Sequence, residues 1–158
     1  MKNKASIQML FHNKRGNMLP LIMVIVFVLF SFSMILAEVF RINGIQSHIE
    51  YELQRAVNIA VEYSMQDSWR QDKLNRLDAA QARSVFYDYL YTELALNGAN
   101  QKIEEKLIYT LELNNVEAQI EPPRLLVSGV ARVRSAFVFL IDDINIPFDI
   151  KSKNFRLE

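Results

Sequence analysis

Few side chains in this sequence could do acid–base or metal chemistry, and their spacing does not gather them into a site. The only histidines are His12 and His48, and there is no cysteine. His48 and Glu52 are one helical turn apart, which suits a surface contact better than zinc, because a zinc site needs a larger ligand set. Asp142 and Asp143 lie between two apolar segments, where paired aspartates are typical of a turn. With no catalytic motif present, we predict no enzyme activity, no cofactor, no metal and no small-molecule substrate.

The feature that dominates the sequence is an uncharged run, residues 18–37, hereafter the apolar segment. Thirteen of its twenty residues are Leu, Ile, Val or Phe. At roughly −0.3 to −0.6 kcal/mol each, they favour insertion into a bilayer by about 4 to 8 kcal/mol. A helix of this length spans about 30 Å, the thickness of the hydrocarbon core. Because the run has no polar face, a transmembrane helix is predicted here rather than a buried helix of a globular core.

The charges on the two sides of the apolar segment differ in sign. Residues 1–17 carry four basic and no acidic side chains, whereas fourteen basic and eighteen acidic residues follow the segment, a net charge of −4. The positive-inside rule therefore predicts a cytoplasmic leader over residues 1–17 and one domain outside the membrane over residues 38–158. A cleaved signal peptide is the alternative, but its apolar region would be shorter, about 7 to 15 residues, and followed by a small-x-small site. The overall charge balance gives no reason to expect a nucleic-acid partner.

Beyond the apolar segment, the pattern changes to that of an amphipathic helix. Apolar residues recur at steps of three and four, which is helical spacing. We call these seven residues the packing stripe: Ile42, Ile45, Ile49, Leu53, Ala56, Ala60 and Tyr63. The stripe predicts one helix over residues 17–66 whose inner face covers a sheet, with Val57 and Val61 widening that face. Gly44 allows either a bend or an ordinary surface glycine.

The rest of the sequence predicts a second helix and then a sheet. The second helix, residues 78–96, ends at Asn97-Gly98, a pair that readily takes the left-handed conformation. From residue 107 the apolar period changes from 3.6 to 2, which indicates strands. The predicted strands are residues 107–113, 116–121, 125–134 and 144–155, with a turn at Asn114-Asn115. Alternating polarity and short connections predict an antiparallel meander with one covered face, so the fold class is α+β.

Four short segments carry a resemblance to a known family. They are Arg15-Gly16-Asn17, Leu19-Pro20, Glu38-Val39-Phe40-Arg41 and the octapeptide LQRAVNIA of residues 53–60. Together they resemble the N-terminal region of the TadE/TadG-like family, pilin-like proteins of tight-adherence (Flp) pilus systems. The resemblance covers about a third of the chain.

The resemblance implies a non-catalytic, pilin-like subunit or assembly component of a type IV-like pilus system. Its partners would be membrane lipid and other pilin-like subunits or the pilus assembly platform, in a homo- or hetero-oligomer. Its location would be the bacterial cytoplasmic membrane, as a single-pass protein with the N-terminus inside, or the pilus. The alternative is a single-pass subunit of another envelope or signalling complex, which would pair through a coiled coil of the membrane-proximal helix.

The resemblance also implies a candidate processing site, with cleavage after Gly16 leaving Asn17 as the first residue. Leu21 stands where processed prepilins carry Glu, so the alternative is that Arg15-Gly16 is the flank of an ordinary anchor. The spacing of Glu38 and Arg41 predicts an ion pair on the helix surface.

Three polar or aromatic residues have open roles. Ser31 and Ser33 face either a second membrane helix or their own backbone carbonyls. Trp69 either anchors in a groove of a partner or packs under the break between the two helices, and packing is the prediction.

Overall fold

The α+β class is confirmed by the computed structural model, which describes residues 18–65, 77–104, 107–137 and 142–153. The leader with Gly16 and Asn17, and also Trp69, lie outside the described residues. The chain divides into two compact units, residues 1–41 and 42–158, so that the boundary falls within the first helix. The described elements are α1 (Met18–Tyr63), α2 (Ala79–Thr92), β1 (Gln101–Ile103), β2 (Leu107–Gln119), β3 (Arg124–Val133) and β4 (Ile144–Lys151).

Helix α2 begins where the sequence predicts but ends four residues early. Its N-cap is Asp78, whose side chain accepts hydrogen bonds from the backbone N–H groups of Ala80 and Gln81. The predicted end at Asn97-Gly98 is wrong, because Ala95 takes the left-handed conformation with a φ of 52°. The apolar period continues to residue 96 since Leu94 and Leu96 enter the core from the turn that follows the helix.

The sheet is an antiparallel meander in the order β1-β2-β3-β4. The predicted turn at Asn114-Asn115 is wrong, because β2 runs through this position as one strand with a bulge. Leu113 pairs with Gly129 and Asn115 with Ser128, which leaves Asn114 as the extra residue. One inserted residue shifts the side-chain alternation by one, and the apolar positions before and after it therefore stay on the core face.

The core of the second unit lies between one face of the sheet and the two helices. Its most deeply buried residues come from all of these elements: Leu53, Ala56, Val57, Ala60, Phe86, Leu90, Leu111, Leu125, Val127, Ala131 and Val133. The other face of the sheet carries charged side chains, including an exposed ion pair between Arg132 and Glu112 at 2.8 Å. The sheet is therefore covered on one face, as its alternating polarity predicts.

Gly129 in β3 is expected to be intolerant of a side chain. A Cβ atom here would collide with the backbone carbonyl oxygen of Glu112 and lie 2.7 Å from Cζ of Phe148. Because the carbonyl belongs to the paired strand, Gly129→Ala should lower the free energy of unfolding by about 1 to 3 kcal/mol. Urea denaturation of the full chain in detergent measures this. Gly98→Ala is the matched control, since nothing lies within 4 Å of its added methyl group. Equal midpoints for the two variants would contradict the close packing.

Candidate functional site

The apolar segment exposes its side chains on every side of α1. The large apolar side chains from Met18 to Leu36 are between 42% and 78% exposed. Within the described part of the chain, α1 is the one helix that is long and apolar enough to cross a membrane, a criterion that an N-terminal signal sequence also meets. The segment therefore presents a surface that suits lipid on all sides.

The two serines of the apolar segment are satisfied within their own helix. The Ser31 hydroxyl donates to the carbonyl oxygen of Phe27 at 2.8 Å, and the Ser33 hydroxyl donates to that of Leu29 at 2.9 Å. The sequence left two roles open for these serines, a contact with a second helix or a bond to their own backbone. The structure shows the bond to their own backbone. Neither hydroxyl needs a second helix to supply a hydrogen-bond acceptor.

An ion pair follows the apolar segment directly. Arg41 donates from Nε to Oε2 of Glu38 and from Nη2 to Oε1, both at 2.8 Å. The hydrogen bond to Glu38 raises the pKa of Arg41, although partial burial acts in the opposite direction. The predicted pairing is thus present in bidentate form, which is the strongest geometry for a guanidinium and a carboxylate. Glu38 is only 8% exposed, and each of its carboxylate oxygens accepts a hydrogen bond from Arg41.

The packing stripe of α1 lies in the second unit, and most of it faces the core. Ile49, Leu53, Ala56 and Ala60 are buried. Ile42 and Ile45 are half-buried and pack against the core.

Tyr63 is a correction to the packing stripe, because it is 72% exposed. The inner positions of the last turn are taken instead by Val61 and by Ser64, whose hydroxyl donates to the Ala60 carbonyl at 2.6 Å. Tyr63 therefore lies outside the buried face of α1.

Two amide side chains of α1 hold the edge of the sheet, a role that the sequence did not predict. Gln54 donates from Nε2 to the carbonyl oxygen of Lys151 at 2.9 Å. Asn58 accepts from the backbone N–H of Lys153 at 3.0 Å. The two amides are one helical turn apart and flank the packing stripe, and this spacing is the sequence feature that could have indicated their role. These contacts satisfy backbone groups at the end of the edge strand β4 and so fix α1 across the sheet.

Two buried tyrosines in the second unit lie beside Glu52 of α1. Tyr89 donates from its hydroxyl to Oε2 of Glu52 at 3.1 Å. Burial, followed by this bond, raises the pKa of Tyr89 to about 12. Burial also raises the pKa of Tyr109 to about 12, with the charges of Glu52 and Glu104 adding to the effect. Both tyrosines therefore stay neutral in the folded chain well above the pH at which they ionise in the unfolded chain.

The raised pKa of Tyr109 predicts a loss of stability in alkali. Tyrosine ionises near pH 10 in the unfolded chain, whereas Tyr109 keeps its proton to about pH 12 in the folded chain. Because the folded state then binds more protons, stability should fall as pH rises from 10 to 12, by up to about 1.4 kcal/mol per pH unit for this residue. Urea denaturation at pH 8, 10 and 11.5 measures the slope. Tyr109→Phe should lower the slope by about half, because Tyr89 has a similarly raised pKa and contributes the rest. An unchanged slope would show that Tyr109 is not one of the groups responsible.

The remaining candidates for chemistry do not converge. His48 is exposed on α1, and Asp142 and Asp143 are exposed just before β4. The described residues contain no group of three or more His, Cys, Asp or Glu side chains that could hold a metal ion. Comparisons with protein-family models, with curated proteins and with solved structures found no match to this chain.

Proposed function

We propose that this protein is a non-catalytic, membrane-anchored subunit or assembly component of a tight-adherence, type IV-like pilus system. The observation that carries the proposal is that the two parts of α1 differ in exposure. Its first part exposes apolar side chains all round, and its second part is the central buried helix of an α+β unit. The resemblance of about residues 15–65 to TadE/TadG-like proteins supplies the pilus context.

Anchoring is supported by the surface of the apolar segment. Its large side chains are mostly more than half exposed, and its two serine hydroxyls are bonded to the helix backbone. Nothing polar on this surface needs water, and lipid tails would cover it at a gain of about 4 to 8 kcal/mol from its Leu, Ile, Val and Phe residues. In the proposed topology, the basic residues 1–17 stay in the cytoplasm and residues 38–158 lie outside.

Assembly through α1 must use a face that the core leaves free. Ile49, Leu53 and Ala56 are covered by the second unit itself, so the packing stripe is not available for pairing with another chain. Coiled-coil pairing, the alternative function, would need a different face of the same helix. Tyr51, which is 64% exposed, lies on such a face.

Cysteine crosslinking in cells tests assembly, and the natural chain contains no cysteine to interfere. Tyr51→Cys should crosslink to another pilus subunit or to the assembly platform, and mass spectrometry identifies that partner. Leu53→Cys, two residues away but fully buried, is the matched control and should not crosslink. A Tyr51→Cys chain that links only to a second copy of itself, and does so only in the membrane fraction and never in sheared pili, would favour the coiled-coil alternative. If Tyr51→Cys formed no crosslink at all, this face of α1 would be excluded as the assembly surface.

The mass of the mature protein tests the candidate processing site. A membrane-extracted chain that begins at Asn17 would support cleavage after Gly16 and release of the anchor into a filament. A chain that still begins at Met1 would show that Arg15-Gly16 flanks a permanent anchor. In that case, the protein acts from the membrane as an assembly component.

A further inference from the structure

A polar cleft of about 220 Å³ opens in the second unit, and no residue of the packing stripe lines it. Its walls come from α1, from the end of α2 and from strands β1 and β2. The charged and polar side chains that line it include His48, Glu52, Arg55, Glu93, Lys102 and Tyr109, and Tyr89 lies among them. The volume corresponds to about seven water molecules at roughly 30 Å³ each, which is room for a small organic molecule.

The charges in the polar cleft are balanced and held apart. Two carboxylates, Glu52 and Glu93, face two cations, Arg55 and Lys102, yet no ion pair within 4.0 Å joins them among the described residues. Arg55 lies over the ring of Tyr89 at 6.0 Å. Two of the other charges are also positioned by neutral groups, since Lys102 donates to the Leu94 carbonyl at 2.9 Å and Glu52 accepts from Tyr89. Charges of both signs are therefore fixed at the cleft wall and remain able to bind a ligand.

Tyr109 supplies a buried hydroxyl without a protein partner. The residue is 2% exposed, and no hydrogen bond joins its hydroxyl to any described residue. The described residues also include no side-chain N or O atom that is both sealed from solvent and unbonded. The hydroxyl of Tyr109 must therefore reach the polar cleft, where it can donate a hydrogen bond to a bound molecule.

We propose that the polar cleft binds a small zwitterion that carries one ammonium and one carboxylate, of the size of a free amino acid. A ligand with one charge would be attracted by two groups of the cleft and repelled by the other two. A zwitterion can place its carboxylate toward Arg55 and Lys102 and its ammonium toward Glu52 and Glu93, and so both ends gain charge-assisted hydrogen bonds. No sequence motif indicated this site, because its residues come from four separate elements.

The test uses the full chain in detergent micelles, titrated by calorimetry with probes of known charge. Glycine, β-alanine and γ-aminobutyrate carry both charges at increasing separation, whereas acetate and methylammonium carry one each. At least one zwitterion should bind at least tenfold more tightly than either single-charge probe. Glu93→Gln and Tyr109→Phe should each weaken that zwitterion at least fivefold. Glu50→Gln is the matched control on α1, since Glu50 bonds Gln46 outside the cleft, and should leave binding unchanged.

Two results would overturn the proposal. The first is binding of all three zwitterions no tighter than acetate or methylammonium. The second is binding that Glu93→Gln and Tyr109→Phe both leave unchanged, which would place the probe elsewhere. Glu93 is exposed and has no side-chain partner among the described residues, so its variant should keep the fold, as an unchanged urea midpoint would verify. The proposal is independent of the pilus function, because neither outcome bears on anchoring or assembly.

Discussion

Leu53→Asp is expected to unfold the second unit or to leave it close to unfolding. Leu53 is fully buried at the centre of the packing stripe, on the face of α1 that belongs to the core. An aspartate here would place a charge without a partner in an apolar core, at a cost of several kcal/mol. Whole domains are commonly stable by only about 5 to 15 kcal/mol, so the loss should be visible as a lower urea midpoint of the full chain in detergent.

A matched control lies two residues away on the same helix. Tyr51→Asp introduces the same charge at a side chain that is 64% exposed, and it should change the free energy of unfolding by about 0.5 kcal/mol or less. Ile49→Asp, which is one turn away and also buried, should behave like Leu53→Asp. If Leu53→Asp melted like the Tyr51 variant, the packing stripe would not face the core.

Two arginines in the apolar segment are expected to remove the protein from the membrane. The double substitution Val26→Arg with Phe30→Arg puts both charges on one face, one turn apart. At roughly 2.5 to 3.5 kcal/mol each, they cost about 5 to 7 kcal/mol, close to the whole gain of about 4 to 8 kcal/mol estimated for the segment. The chain should then shift from the carbonate-resistant pellet to the soluble fraction.

The control for this substitution keeps the segment apolar. Val26→Leu with Phe30→Leu changes the same two side chains without adding charge and should stay in the pellet. If the arginine variant also stayed in the carbonate-resistant pellet, residues 18–37 would not be the anchor. A shortened, soluble product from the unsubstituted chain would instead identify the segment as a cleaved signal peptide.

Elements with long, regular periods could be predicted from the sequence, and local breaks could not. The packing stripe predicted the bounds of α1 to within a few residues, because its apolar residues repeat at helical spacing along the whole length of the stripe. At Asn114 the apolar phase shifts by one residue, and a turn or a bulge produces the same shift. The structure contains the bulge, because strand β3 is long enough to pair with both halves of β2. Strand β1 was missed since its three residues carry too little pattern to distinguish them from a loop.

The candidate sites show the same limit. The exposed apolar segment follows from composition alone, because no fold is needed to recognise a helix without a polar face. Tyr63 was misplaced since the inner face of α1 rotates toward Val61 and Ser64 in the last turn. The polar cleft could not be predicted from the sequence, because Tyr109 occupies a position in β2 where the alternation predicts an ordinary core residue. Only the contacts with α1 show that its hydroxyl emerges between charged side chains.

The most direct test of the central claim is the sidedness of single cysteines in a chain that has none of its own. Ser6→Cys marks the basic leader, and Ser84→Cys marks an exposed position on α2 of the second unit. In intact spheroplasts, a membrane-impermeant maleimide should label Ser84→Cys at once and Ser6→Cys only after the membrane is permeabilised. Labelling of Ser6→Cys in intact spheroplasts with protection of Ser84→Cys, or release of the Ser84→Cys chain from the membrane, would contradict a retained anchor with its α+β unit outside.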